Sequence, residues 1–335
     1  MNDSVLALGL AALLGLMIGS FLNVVIHRLP LMLQAQWDAL PVDDEKRLRH
    51  NAITQPLIWT GLLATSLGLT GIDLNKALWG VTAIQMVLWM LFLIFTALYG
   101  KKIVDDAPPD APPFNLAVPR SHCPHCQHTL AWHENIPLLS FIRLRGRCAH
   151  CQAPIGWRYP AIELITAGLF MWAAAEHGLG WQALVWAGFA AALVALAAID
   201  HDTRLLPDAI TQPLVWAGLL AASMGLTGMG LNEALWGAAG GYLFLWTVYW
   251  LFKAVTGKEG MGQGDFKLLA ALGAWLGWPA LLSLIMVASF SGVIGGLWLK
   301  LRGQLDDNGQ LAFGPFLVLA GLWVMAFGPL PWFLI

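Results

Sequence analysis

The sequence predicts an all-α polytopic membrane protein of about ten helices, interrupted by one small polar domain that holds every cysteine. Three observations carry this. Of 335 residues, 58% are hydrophobic and only 11% charged, whereas an ordinary soluble domain carries about 25% charged residues. Mean hydropathy is +0.66 and there are 18 Trp, which suits a lipid-embedded body with interfacial aromatics. The basic residues also gather in alternate connecting segments. A net charge of −2 argues against a polybasic nucleic-acid binder.

A spanning helix needs about 20 largely apolar residues. The runs that fit are 5–26, 55–72, 77–99, 161–178, 181–199, 209–227, 231–252 and 312–334. The stretch 5–26 has no charge and no basic segment before it, and it runs into His27 and Arg28 instead of a small-residue cleavage site. It therefore reads as a retained helix and not a signal peptide. The run 268–299 is too long for one span and short for two. Gly277-Trp278-Pro279 divides it into a short helix ending near Leu276 and a longer one from Pro279, since Pro opens a helix well.

With residues 1–4 outside, 17 of the 18 Lys and Arg residues fall on the cytoplasmic side and only Lys76 does not, as the positive-inside rule requires. The polar stretch 101–159 is then a cytoplasmic domain between the third and fourth helices.

A shift of 157 residues reveals a repeat: aligning 51–80 with 208–237 gives 22 identities in 30 positions. Two copies do not make a solenoid; they make a duplicated helical hairpin. Asp43 aligns with Asp200, but Asp43 follows a polar segment whereas Asp200 ends an apolar helix. The second copy continues into Gly260-Met-Gly-Gln-Gly-Asp265 where the first has Ile103-Val-Asp-Asp106. The segment 45–102 is expected to be a structural insertion duplicating 202–259. The domains are then a first membrane helix (1–30), this hairpin, a cytoplasmic domain (103–159) and a second membrane domain (160–335).

Cys123-Pro-His-Cys126 and Cys148-Ala-His-Cys151 form two knuckles 21 residues apart, close to the spacing of a four-cysteine zinc ribbon. Four thiolates close a tetrahedron, so such a zinc would be structural. Free thiols or a redox pair are the alternatives. His122, His125, His128, His133 and His150 crowd the same region and could replace a Cys as ligand, although surface histidines are the plainer reading.

Asp200 ends a charge-free run and Asp265 shortly precedes another, which places both at cytoplasmic ends of membrane helices. An ionisable group at membrane depth is expensive, so it is a functional candidate. Two such carboxylates brought together would share a proton and could activate a water against an amide carbonyl. The plainer reading of each is a helix cap; Asp208, after Pro207, fits that reading as an N-terminal charge, and Asp202 is intermediate. Gly260, Gly262 and Gly264 either pack against another helix or admit an extended peptide.

In order along the chain stand Gly19-Ser-Phe-Leu-Asn-Val-Val-Ile-His-Arg-Leu-Pro30, the paired Cys-x-x-Cys, Asn135-Ile-Pro137, Arg158-Tyr-Pro-Ala-Ile-Glu163, Ile199-Asp-His-Asp-Thr-Arg-Leu-Leu-Pro-Asp208, Gly262-Gln-Gly-Asp-Phe-Lys267 and Phe313-Gly-Pro-Phe316. Together they resemble the bifunctional prepilin peptidases, the type IV leader peptidases and N-methyltransferases, over the whole chain except about 45–110. The resemblance implies an intramembrane aspartyl protease of the bacterial inner membrane. It would remove the basic leader of type IV prepilins or type II secretion pseudopilins and methylate the new N-terminus with S-adenosylmethionine. The family's catalytic aspartates match Asp200 and Asp265. The extra hairpin departs from the family pattern of eight helices. No Gly-rich dinucleotide fingerprint follows a strand pattern, so methyltransferase residues are not assigned; Glu163 and Arg158 are candidates only. The competing readings are a transporter or assembly scaffold with a zinc docking domain, and a peptidase without methylation.

Overall fold

The computed structural model describes residues 2–38, 66–68, 73, 75, 76, 78, 114–258, 260–303 and 311–331. The chain forms two compact units, one of residues 1–39 and 120–335 and the other of 40–119. In the second unit, Lys76 N–H donates to Asp73 Oδ1 at 3.1 Å, and Asn115 Oδ1 accepts the N–H groups of Ala117 and Val118, both at 2.8 Å. Asp43 and nearly all of the predicted spans 55–72 and 77–99 lie outside the described residues.

The first unit is built from α1 (Asn2–Asp38), a 3-10 turn (Trp132–Glu134), α2 (Leu139–Arg143), α3 (Arg158–His177), α4 (Trp181–Thr203), α5 (Asp208–Ser223), α6 (Leu231–Thr256), α7 (Gln263–Leu276), a 3-10 turn (Trp278–Ala280), α8 (Leu281–Leu301) and α9 (Gly314–Phe327). Extended pairing among the described residues is limited to two isolated bridges, His122 with Thr129 and Arg147 with Pro154.

Helix ends follow local chemistry. Gly277, at φ +78°, stops α7, and Pro279 lies in the following turn, so the break expected near Leu276 is present. The first helix is longer than the sequence reading allowed. It continues through His27, Arg28 and Pro30 to Asp38, because charges end a hydropathy window without ending a helix, and one Pro removes a single ladder bond.

Three described helical stretches are long and apolar enough to cross a membrane: Ser4–Ala35, Trp181–Thr203 and Trp278–Leu301. Gly314–Phe327 is apolar but shorter. At 16 and 14 residues, α5 and α7 rise only about 24 and 21 Å, short of a hydrocarbon core of about 30 Å. Neighbouring helices shield α7, which is buried from Asp265 to Trp275 among α5, α6 and α9. The Trp275 indole N–H donates to the Leu214 carbonyl on α5 at 2.8 Å, and its ring stacks on Phe189 of α4 with centroids 4.4 Å apart.

Small residues bring α1 against α3. A Cβ on Gly15 would lie 2.6 Å from the Ala167 Cα, and one on Gly19 would lie 2.7 Å from the Glu163 Cα. This is the close backbone approach that small residues four apart permit between membrane helices.

Candidate active site and metal centre

Asp200 sits in the last turn of α4. The helix stops because Arg204 turns left-handed at φ 57°, its N–H closing on the Asp200 carbonyl at 2.8 Å. Leu193, Leu196 and Ile199 on the same helix are fully buried, and Asp200 is 5% exposed. Asp265 lies in the first turn of α7, 7% exposed and followed by the fully buried Leu268 and Leu269. The structure brings these two residues together: they lie within electrostatic reach of each other. A third element closes the site, since the backbone N–H of Gly314, at the start of α9, donates to Asp200 Oδ2 at 2.9 Å.

The glycines before Asp265 have different neighbours. Gly260 packs on Phe252 and Gly264 on Leu206, where added Cβ atoms would come within 2.7 Å. Gly262 instead borders the carboxylate: the nearest atom to a Cβ there would be Asp265 Oδ2, at 3.9 Å.

The neighbouring acids are engaged elsewhere. Asp202 Oδ2 pairs with the Arg158 guanidinium at 2.5 Å, which also donates to the Ala198 carbonyl at 3.3 Å. Asp208 does stand in the first turn of α5, but that helix has no side-chain capping bond; Asp208 Oδ1 accepts from Lys267 Nζ at 2.6 Å. The expectation that Asp208 is simply a cap is corrected to that extent. The sequence reading gave Lys267 no role, although a Lys inside a buried, charge-poor helix needs an anion. Glu163 accepts the Leu138 N–H at 2.9 Å and a hydrogen bond from Ser20, so both methyltransferase candidates are held in intramolecular bonds.

The four cysteines converge. Their Sγ atoms all lie within 4.8 Å of one another, with Cys123 to Cys151 at 3.8 Å and Cys126 to Cys148 at 4.0 Å. A tetrahedron with metal–sulfur bonds of about 2.3 Å has edges of about 3.8 Å, so the cluster can hold a metal ion. The two knuckles share one backbone design. Cys123 N–H donates to the His128 carbonyl and Gln127 N–H to the Cys123 carbonyl, both at 2.9 Å. Likewise, Cys148 N–H donates to the Ala153 carbonyl at 2.9 Å and Gln152 N–H to the Cys148 carbonyl at 3.1 Å. Each turn closes through a left-handed Gln, Gln127 at φ 58° and Gln152 at φ 57°.

Backbone N–H groups are aimed at the sulfurs. Those of Cys126 and His125 bring the Cys123 thiol down to about 7, and those of Cys151 and His150 lower Cys148. Although the Ala153 N–H favours its thiolate, desolvation and the surrounding sulfurs push Cys151 up to about 11. Four thiolates this close call for a cation. Beside the cluster, His128 stacks on His150 with centroids 5.3 Å apart and reaches Glu134 at 3.3 Å. Glu134 also accepts the Ala131 N–H at 2.8 Å, which holds its carboxyl below the usual range. Among the described residues, the group that could hold a metal ion consists of the four cysteines and includes no histidine.

The model of the bacterial peptidase A24 N-terminal domain matches residues 13–177, and that of the type IV leader peptidase family matches residues 187–297. A prepilin leader peptidase/N-methyltransferase of Aeromonas hydrophila is 42% identical over 315 residues, covering 94% of this chain and 88% of that one. Proteins of the same description are 42% identical in Burkholderia pseudomallei strain 1026b, covering 96% and 85% of the two chains, and 41% identical in Stutzerimonas stutzeri, covering 94% and 88%. No solved structure matches the chain. The chain belongs to the type IV leader peptidase family.

Proposed function

We propose that this protein cleaves the basic leader from type IV prepilins or type II secretion pseudopilins, using Asp200 and Asp265 as its catalytic pair, and methylates the new N-terminus. The observation that carries the reading is the pairing of two buried carboxylates at the ends of α4 and α7, within reach of each other. One carboxylate takes a proton from water as that water attacks the scissile carbonyl; the other gives a proton to the carbonyl oxygen.

The chain is read as a ten-helix inner-membrane protein with the cysteine domain facing the cytoplasm. The leader's Lys and Arg residues stay there while the apolar pilin helix lies in the bilayer. On this reading the scissile bond meets Asp200 and Asp265 at the cytoplasmic boundary of the bilayer. Zinc is the ion proposed for the cluster, held by Cys123, Cys126, Cys148 and Cys151. With four protein ligands it leaves no position for a reacting water, so its contribution is to hold the two knuckles together.

Methylation rests on kinship with the named relatives, with S-adenosylmethionine as donor. A cavity of about 320 Å³ is lined by apolar residues of α1, α3 and α4, among them Leu10, Phe170 and Leu184. It does not fit a charged nucleoside, and no methyl-transfer step is assigned to it.

The test is incubation of the purified protein with a prepilin and labelled S-adenosylmethionine, followed by mass spectrometry of the product N-terminus. Asp200→Asn and Asp265→Asn should each abolish cleavage while the protein stays folded in membranes. Substantial cleavage by either variant removes that residue from the pair.

A further inference from the structure

Gly314 lies 114 residues from Asp200 in the chain, yet its N–H reaches Asp200 Oδ2 in a buried setting. A Cβ at this position would stand 2.5 Å from that oxygen, so a side chain here would displace the carboxylate. The N–H belongs to the first turn of α9, where the helix dipole favours a negative charge. Pro315 follows and offers no N–H of its own, which leaves the Gly314 donor aimed at Asp200. The other charged groups acting on Asp200 are His201 and Arg204, and Asp265 lies opposite. Asp265, for its part, is approached by the Gly262 backbone and the charge of Asp200. Each carboxylate thus has one backbone N–H acting on it, but only Asp200 has that donor at 2.9 Å together with two charged side chains, His201 and Arg204.

We infer that Gly314 is a positioning residue that fixes Asp200 as the ionised member of the pair, making Asp200 the base and Asp265 the acid. This rests on the catalytic pair proposed above. In the first half-reaction the water oxygen bonds to the scissile carbon, its proton passes to Asp200, and the proton of Asp265 passes to the carbonyl oxygen. In the second, the carbon–nitrogen bond breaks and Asp200 returns its proton to the leaving amine. Asp265 then recovers a proton from the hydroxyl that becomes the new carboxyl group.

The deciding variant removes only the N–H: glycolic acid in place of Gly314 in the full chain, which turns that amide into an ester and adds no bulk. Prepilin cleavage is measured across pH alongside the parent protein, Gly314→Ala and Asp200→Asn. With the N–H gone, kcat should fall roughly ten- to a hundredfold, with KM within about threefold. The acidic limb of the pH profile should move up by about one unit, because the anion has lost a donor. Gly314→Ala, where it folds, should lose more. An ester variant with parental kcat and an unmoved limb overturns the assignment, as does one that slows without moving the limb. Cleavage by Asp200→Asn would instead overturn the catalytic pair itself, so the two failures are distinguishable.

Discussion

Lys267, two residues beyond Asp265, places its ammonium 2.6 Å from the carboxylate of Asp208, 59 residues earlier in the chain. The contact ties the start of α5 to the start of α7, and so braces the turn after Asp200 against the helix that carries Asp265. Its two ends differ: the Lys267 side chain is 11% exposed and that of Asp208 is 53% exposed. The lysine is packed while its carboxylate partner meets solvent, so the attraction is screened from the Asp208 side.

Asp208→Asn should therefore cost little, lowering the unfolding midpoint by a few degrees at most and leaving prepilin cleavage within about threefold of parental. Lys267→Met should destabilise more through lost packing. Adding Asp208→Asn to it should then change stability by less than about 0.5 kcal/mol, since the partner is already gone. Thermal unfolding of the four proteins checks this. Loss of cleavage in folded Asp208→Asn would place Asp208 in the chemistry and contradict its reading as a brace.

The cysteine cluster makes a separate prediction. Metal analysis of freshly purified protein should find one zinc per chain, and Cys123→Ser or Cys148→Ser should reduce it sharply. Chelation should loosen the cysteine domain, seen as faster proteolysis around residues 120–157, because metal binding and folding are coupled at such sites. If cleavage vanishes on chelation while the domain stays protease-resistant, the metal is part of the hydrolytic centre.

The left-handed glutamines offer a more local test. For an L-residue that conformation costs roughly 1–2 kcal/mol, and β-branching makes it worse. Gln127→Gly and Gln152→Gly should retain metal as well as the parent or better. Gln127→Val and Gln152→Val should lose metal at lower chelator concentration. Equal retention by the Gly and Val variants would mean that the turn geometry does not govern the cluster.

What the sequence revealed was mostly what depends on short-range pattern. The cysteine spacing fixes two knuckles, and Gly277-Trp278-Pro279 breaks a helix by local chemistry. Hydropathy placed the long apolar runs, but it did not show that α1 continues past His27 to Asp38, because it measures preference for lipid and not helix length. Contacts made across the fold had no local signal. The Gly314 N–H on Asp200 spans 114 residues, and the Glu163 contact with Leu138 spans 25. Lys267 carried a readable hint in its apolar surroundings, but nothing in the order of residues named Asp208 as its partner.

The last prediction concerns the duplicated hairpin. Residues 45–102 repeat 202–259, but the first copy ends in Ile103-Val-Asp-Asp106 where the second goes on to Gly260-Met-Gly-Gln-Gly-Asp265. The chemistry needs two acids, and the first copy offers Asp43 without the apolar helix that precedes Asp200. Asp43→Ala should accordingly cleave prepilin at close to the parental rate. Replacing 45–102 with a short linker should yield a protein that still processes substrate, whatever the change in expression level. A deletion variant that inserts stably, retains its metal and yet fails to cleave would show that the duplicate helps to build the active site.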